Sequence, residues 1–373
     1  MTTIRVISNG FGEDAIACQL IKAYLDMVSD KTSVRFEVFS CVGEGAAYKK
    51  IGLMPNVSQQ VLPSGGFLHR MADVVKDLRS GLFSSVRRQR RAILDCSADM
   101  QWVIGDVYAL WLASVGRSIP TVFFPTAKSE RAIPHYALER RYIRAHATLV
   151  FPRDVETHQS FVAHGIPSQF LGNPMFDGLI SNQEPPFGTV CGILPGSRGE
   201  ALANIGTILD VIAGLETPKV DMFLMALVPS ITYADLLHVV GARPWRVERK
   251  DSDLVLVYTQ KKVDIKVSRD FNDVLHASSV VLGLAGTANE QAMFAGRPLI
   301  SFIGAGPQST LKRFKQQHQL IDGAKTILVP SSNAGEVCKR LAQILDTNDF
   351  PWQPLPPVQA VAKEIAALIY TAH

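Results

Sequence analysis

Val280-Val-Leu-Gly-Leu284, Ala285-Gly286-Thr287-Ala288-Asn289-Glu290-Gln291 and Ala292-Met-Phe-Ala-Gly296-Arg-Pro298-Leu-Ile300 follow one another without a break, and their reading decides the fold. A short apolar run passes into a turn of small residues. About two turns of helix follow and stop at Gly296 and Pro298, where a second apolar run begins. This is one βαβ step. Gly286 and Ala288 let a ligand approach the backbone closely, Thr287 adds a hydroxyl, and the N–H groups of the following helix point outward at the positive end of its dipole. Such a turn can seat a phosphate. With no Walker lysine after it, the same spacing also fits an ordinary strand-to-helix turn.

Outward from this stretch the pattern repeats. Val190–Leu194 reads as a strand, Pro195-Gly196-Ser197-Arg198-Gly199-Glu200 as a tight loop and 201–215 as a helix; Val220–Val228, 254–259, Leu299–Ile303 and Thr326–Val329 read as further strands. Toward the N-terminus, Ile4–Ile7 is a strand, Ser8-Asn9-Gly10-Phe11-Gly12-Glu13-Asp14 a turn, and 15–28 a helix with apolar residues at 16, 20, 21, 24, 25 and 28. Val34–Phe39, 101–105 and Thr121–Pro125 supply more strands, and 147–152 another. The alternation predicts two parallel, doubly wound sheets. Breakers between Gly165 and Gly188 mark a linker, and 358–370 forms a last apolar-faced helix. The expected division is 1–175, 176–355 and a C-terminal helix, 356–373, packing back toward the first domain.

Gly10-Phe-Gly12-Glu-Asp-Ala15 satisfies the dinucleotide pattern GxGxxG/A. Glu13 and Asp14, however, place two carboxylates where a pyrophosphate would sit, and their repulsion opposes a second anion. An acidic cleft lined by Gly10 and Gly12 suits hydroxyl groups or a proton transfer, and the carboxylates alternatively cap the helix. Asp106 follows the strand Gln101-Trp-Val-Ile-Gly105, at a carboxyl end where ligands of doubly wound sheets collect; an N-cap is its other reading.

Composition bounds the rest. The 373 residues are 47% hydrophobic, enough for two cores, and the formal charge of +4 does not by itself indicate a nucleic-acid binder. The five cysteines are scattered without CxxC or zinc spacing, and His158 and His164 lack ligand spacing, so no metal centre is expected. No apolar run approaches the ~18 residues of a spanning helix, and the opening strand lacks an export signal, which places the protein in the cytosol. Between His69 and Leu94 lie Arg70, Lys76, Arg79, Arg87, Arg88, Arg90 and Arg91 against Asp73 and Asp77, with Leu78, Leu82, Phe83 and Val86 interleaved. That pairing fits an anionic membrane surface, or a solvated helix with its stripe in the core. Lys128, Arg131, Arg140, Arg141 and Arg144 form a second basic cluster. Asp251-Ser-Asp253 matches the DxD of some sugar transferases but reads as a turn.

Leu194-Pro-Gly196-Ser197-Arg198, Leu171-Gly-Asn173-Pro174-Met-Phe-Asp177, Ala285-Gly286-Thr287-Ala288 and the Gly10-to-Asp14 turn resemble, in order and spacing, motifs of the lipid-A-disaccharide synthase family. The Ser8-to-Asp14 opening is most similar to the related proteins of photosynthetic bacteria. The resemblance covers nearly the whole chain and implies a GT-B fold of two Rossmann-like domains, an acceptor domain and a UDP-sugar domain, facing across a cleft. It implies that Gly286, Thr287 and Ala288 hold the diphosphate, with Ser197 and Arg198 opposite. Asp106 falls at the family's aspartate after an Ile-Gly strand and is the implied base. Asn9, Gly10, Gly12 and Asn173 complete the substrate-binding set. The ribose-binding carboxylate of related transferases aligns with Gln291, leaving Gln291 or Glu290 for that contact, and the family's Gly-Glu-x-x-Gly-Asp opening is rewritten here.

The expected activity is an inverting, metal-independent transfer of a sugar from a UDP-sugar to a lipid-linked acceptor at the inner membrane face, without cofactor or nucleic acid. A base takes the acceptor proton while charge grows on the leaving UDP. Asp106 is first in line, then Glu13 or Asp14. The rivals are a UDP-sugar epimerase of the same fold and a non-catalytic nucleotide-sugar binder.

Overall fold

The apolar runs form the strands of two sheets. The computed structural model describes residues 1–371 apart from 57–81, 117, 182, 185, 198, 217–218, 251–252, 307–308, 322–324 and 357–359. The chain divides into Met1–Gly178 with Gln359–His373, and Leu179–Val358.

In the first unit β1 (Thr2–Ser8), β2 (Val34–Ser40), β3 (Met100–Gly105), β4 (Thr121–Pro125) and β5 (Leu149–Val150) lie in the order β2-β1-β3-β4-β5, all parallel. The helices are α1 (Phe11–Met27), α2 (Ala46–Lys50), α3 (Leu82–Asp95), α4 (Val107–Ala113), α5 (Ala137–His146) and α6 (Val155–Ala163). Strands covered on both faces read as unbroken apolar runs. Ile7, Phe39, Val103 and Phe123 pack with Ile93, Leu110, Ile143 and Phe161 of α3 to α6. Trp102, from the other face of β3, meets Tyr24 of α1 at 5.4 Å between ring centroids, and Tyr24 meets Tyr370 of the C-terminal helix Val361–Thr371 at 5.6 Å. Burial on both faces extends to Arg5. Its guanidinium reaches Gln101 Oε1 at 2.5 Å and the carbonyl of Ile93 at 2.7 Å, at the negative end of α3.

In the second unit β6 (Val190–Leu194), β7 (Met222–Ala226), β8 (Trp245–Lys250), β9 (Asp253–Tyr258), β10 (Asp264–Ser268), β11 (Val280–Gly283), β12 (Leu299–Phe302) and β13 (Thr326–Val329) run in the order β13-β12-β11-β6-β7-β10-β9-β8. Their helices are α7 (Ala201–Gly214), α8 (Tyr233–Val240), α9 (Phe271–Ala277), α10 (Thr287–Phe294), α11 (Leu311–His318) and α12 (Ala334–Thr347). The core gathers Ile193, Met225, Leu282 and Phe302 against Ile205, Leu209, Leu236 and Leu341.

This sheet corrects the expectation of purely parallel pairing. β9 is antiparallel to both β8 and β10, because the short connections at that edge return the chain directly instead of crossing over through a helix. Asp253 opens β9 and pairs with Lys266 Nζ at 2.6 Å; the other two residues of the Asp-Ser-Asp run lie outside the described residues.

Candidate functional sites

Ligands of open α/β sheets bind beyond the carboxyl ends of the strands where the strand order reverses. In the first unit that point lies between β1 and β3, and its two loops are joined by one hydrogen bond. Asn9 Nδ2, after β1, donates to Asp106 Oδ1, after β3, at 2.6 Å. Asp106 also caps α4, accepting from Ala109 N at 3.1 Å. The capping reading and the switch-point reading thus describe one side chain. Burial pushes its carboxyl above the usual range, against the hydrogen bonds from Ala109 and Asn9 that favour the ionised form. Gly105 precedes it with φ 151°, and a Cβ there would collide with the Asn9 carboxamide. Close packing of the two loops therefore requires glycine.

α1 begins at Phe11 with Gly10 as its N-cap, so the glycine-rich turn is the helix's first turn. Neither Glu13 nor Asp14 caps it. Glu13 is half-buried and accepts from Thr126 Oγ1, beyond β4, at 2.9 Å. A Cβ on Gly10 would collide with the Glu13 carboxylate. Asp14 turns into the protein at 1% exposure, where Ser8 and Ser40 donate to it. The two carboxylates therefore do not share an open acidic cleft.

Asn173 has a different setting. Its Oδ1 accepts from Met175 N at 3.1 Å and caps the turn Pro174–Phe176. Asp177 then accepts from Ala362 N at 2.5 Å, receiving the N-terminus of the C-terminal helix. The Asn-Pro-x-x-Asp run anchors that helix in the first unit.

In the second unit the strand order reverses between β6 and β11, whose following loops carry Gly196-Ser197 and Ala285-Gly286. Leu284 N donates to Leu194 O at 2.9 Å. Gly286 is the N-cap of α10, with no side-chain capping bond. A Cβ added to Gly286 would meet no atom within 4 Å. Thr287 is exposed and Ala288 partly so. Their N–H groups lie in the first helical turn, where no intrahelical acceptor exists. Glu290 is 6% exposed and Gln291 half-buried on the same helix, while Ser197 is exposed. Arg198 lies outside the described residues.

Buried amides hold these loops, and the sequence reading missed all of them. Gln317 Nε2 donates to the carbonyls of Ala285 at 3.3 Å and Gly286 at 3.2 Å. Asn204 Nδ2 donates to Pro195 O at 3.0 Å, and Asn204 Oδ1 accepts from Ala305 N at 3.0 Å. Ser309 Oγ reaches Leu284 O at 3.3 Å. Satisfying carbonyls from the protein side leaves the N–H side of a turn for a ligand. A cavity of about 330 Å³ borders Gln317 and is lined largely by Met293, Leu299, Phe314 and Ile327; it contains no candidate residue of the sequence reading.

The basic segments are partly committed. On α3, Ile93 enters the core and Val86 packs against it. Gln89 donates to Cys41 O at 3.0 Å, and Arg90 lies 4.1 Å from the Trp111 ring. Arg87, Arg88 and Arg91 remain exposed, while Arg70, Lys76 and Arg79 fall outside the described residues. In the second cluster Lys128 pairs with Glu139 at 2.7 Å and Arg131 with Glu156 at 2.6 Å. Among the described residues no group of three His, Cys, Asp or Glu side chains gathers as a metal site, and no helix is long and apolar enough to cross a membrane.

Comparison with protein-family models and with curated proteins gives no match. Solved structures do match over the whole chain. MnaA of S. aureus, determined with UDP, is 12% identical at TM-score 0.57, covering 100% of this chain and 97% of its own. The UDP-GlcNAc 2-epimerase of Neisseria meningitidis, determined with UDP-GlcNAc, is 12% identical at TM-score 0.52, with coverage of 99% and 100%. The glycotransferase of kitacinnamycin is 13% identical at TM-score 0.56, with coverage of 99% and 98%. The fold they share with this chain is GT-B, two Rossmann-like domains in one chain.

Proposed function

We propose that the protein is a UDP-sugar enzyme, an inverting, metal-independent glycosyltransferase that moves a sugar from a UDP-sugar to a hydroxyl of a lipid-linked acceptor. The observation that carries this reading is the division of chemistry between two strand-order reversals. A carboxylate and an amide meet at one, and a glycine-opened helix N-terminus without a side-chain cap stands at the other. In this reading Asp106 removes the acceptor proton, with Asn9 orienting it, and Glu13 lies on the acceptor side with Gly10 and Gly12. Gly286, Thr287 and Ala288 take the diphosphate on backbone N–H groups, and Ser197 and Arg198 belong to the same anion site. Glu290 or Gln291 contacts ribose. Asn173 acts through its turn and not on substrate.

Calorimetry with nucleotides tests the donor half. UDP is expected to bind, and UMP more weakly for want of the second phosphate; NAD is not expected to compete. Arg198→Ala should weaken UDP by about 1.5–3 kcal/mol, one to two decades, as for a hydrogen bond to a charged group. NAD binding without UDP binding would overturn the reading.

A second reading, a UDP-sugar epimerase, draws on the UDP-GlcNAc 2-epimerase among the structural neighbours. An epimerase turns over UDP-sugar alone, whereas a transferase consumes it only with an acceptor. A non-catalytic binder would bind UDP and do neither.

The acceptor's lipid implies a membrane surface, and the exposed Arg87, Arg88 and Arg91 are the residues on α3 that would meet it. Each contributes about 1 kcal/mol near an anionic surface, so replacing all three by Gln should weaken partitioning to phosphatidylserine-containing vesicles by about 10²-fold. Arg90 is left in place because it covers Trp111. Unchanged co-sedimentation would return α3 to the role of a solvated helix.

A further inference from the structure

Asp14 is a buried carboxyl that the proposed reaction does not use. Groups from two other elements reach it, and a third element supports one of them. Ser8, ending β1, donates to Oδ1 at 2.5 Å, and Ser40, ending β2, donates to Oδ2 at 2.9 Å; parallel register sets these two serines side by side. Tyr48 of α2 lies 2.7 Å from Ser8 Oγ. Ser8 has one hydroxyl hydrogen and gives it to Asp14, so the phenol donates to Ser8. Ser40 is placed differently. Its single hydrogen has two acceptors within reach, Asp14 Oδ2 at 2.9 Å and the Val42 carbonyl at 3.2 Å.

We propose that Ser8, Asp14, Ser40 and Tyr48 form a two-state positioning unit in which the Ser40 hydroxyl swivels between Asp14 and Val42. With Asp14 ionised, Ser40 donates to Oδ2. When Oδ2 takes a proton from solvent, the acid donates to Ser40 Oγ, and Ser40 turns its hydrogen to the Val42 carbonyl. Each hydroxyl hydrogen of the cluster has an acceptor in both states, so the carboxyl changes charge without orphaning a buried donor. The neutral state ties Val42 to the end of β2, and the ionised state releases it.

That tie acts on the loop 41–45, which borders the acceptor-side residues. A Cβ on Gly43 would lie 2.7 Å from the Phe11 ring, and the Cys41 thiol feels the charges of both Asp14 and Asp106. The groups facing Asp14 are Ser8, Ser40, Tyr48, Cys41, and Glu13 and Cys18 of its own helix, with Lys22 beyond Cys18. Burial is the main influence on Asp14; the serines oppose it, Glu13 adds to it, and the carboxyl is raised to about 7. This inference rests on the acceptor-side reading of the first unit. It makes Asp14 a positioning residue, not the base.

Urea denaturation between pH 5 and pH 8 tests the proton. An unfolded aspartate titrates near 3.9, so between about pH 4 and pH 7 the folded chain holds a proton that the unfolded chain has lost. Stability falls as pH rises through that interval and levels off above it. The wild-type midpoint is expected to fall accordingly. Asp14→Asn copies the neutral acid, accepting from Ser8 and donating to Ser40, and should remove this slope and exceed wild type at pH 8. Ser40→Ala removes a partner from both forms, but the loss is larger for the ionised one because a hydrogen bond to a charged group is the stronger, so the inflection should move to higher pH. A slope in Asp14→Asn as steep as in wild type, or an inflection unmoved by Ser40→Ala, would overturn the proposal.

In turnover assays the acceptor KM should rise above pH 7 in wild type by about tenfold, the factor one net hydrogen bond supports, and stay at its low-pH value in Asp14→Asn. A wild-type KM independent of pH would overturn the coupling to the loop. The urea experiment needs no substrate, so failure of the transferase reading would appear separately, as absent turnover beside an intact pH profile of stability.

Discussion

Asp106→Asn is expected to lower turnover by about 10²-fold or more while leaving UDP affinity unchanged, since general-base contributions are of that order. The substitution isolates the chemistry unusually well. Asparagine caps helices as effectively as aspartate, and its Oδ1 can still accept from Ala109 N and Asn9 Nδ2, so the structural role survives. What disappears is a carboxylate able to take a proton. Only the ionised form is a base, so the wild-type rate should climb with pH through a value above the ordinary carboxylate range, and this acid limb should vanish in the variant. Wild-type turnover in Asp106→Asn would remove it from the mechanism and make Glu13 the next residue to replace.

Gly105→Ala is expected to be more disruptive than its single methyl group implies. Gly105 sits at φ 151°, and the new Cβ would collide with the Asn9 carboxamide and lie 3.3 Å from Ala109 Cβ. Backbone strain of this kind costs about 1–3 kcal/mol, and displacement of Asn9 adds to it, for an expected loss of about 2–4 kcal/mol. The urea midpoint should drop with its slope unchanged, and turnover should fall because Asn9 no longer orients Asp106. A variant as stable as wild type would show that the loops after β1 and β3 are not held in this arrangement.

Much of the fold was legible because central strands buried on both faces must be written as apolar runs. Thr121–Pro125, Val190–Leu194 and Thr326–Val329 are strands with the bounds the sequence gives them. β8 and β10 escaped notice because charges interrupt them. Arg246 and Glu248 alternate along β8, and Asp264 and Lys266 along β10, as in strands with a wet side. Charge on such strands also protects a sheet edge, here occupied by β8.

The candidate site was legible in kind more than in arrangement. Carboxylates and glycines could be placed at strand ends by counting, but nothing in the sequence distinguishes Asp14, turned inward to Ser40, from Glu13, turned to Thr126. Asn173 is read from the sequence as substrate-binding, and the cap its Oδ1 places on the turn Pro174–Phe176 is not anticipated there. Gln317 and Asn204 hold loops whose contacts lie far away in sequence, and a local pattern carries no trace of such pairings.

The return of Gln359–His373 to the first unit bears on how the chain is made. At 5–20 residues per second a ribosome needs roughly ten to forty seconds to synthesise Leu179–Val358. Throughout that interval the aromatic surface around Tyr24 lacks Tyr370 and its helix, while the second unit, continuous in sequence, is free to fold as it emerges. The half that begins first is completed last, and a nascent chain halted in between offers chaperones and proteases an apolar surface that the finished protein covers.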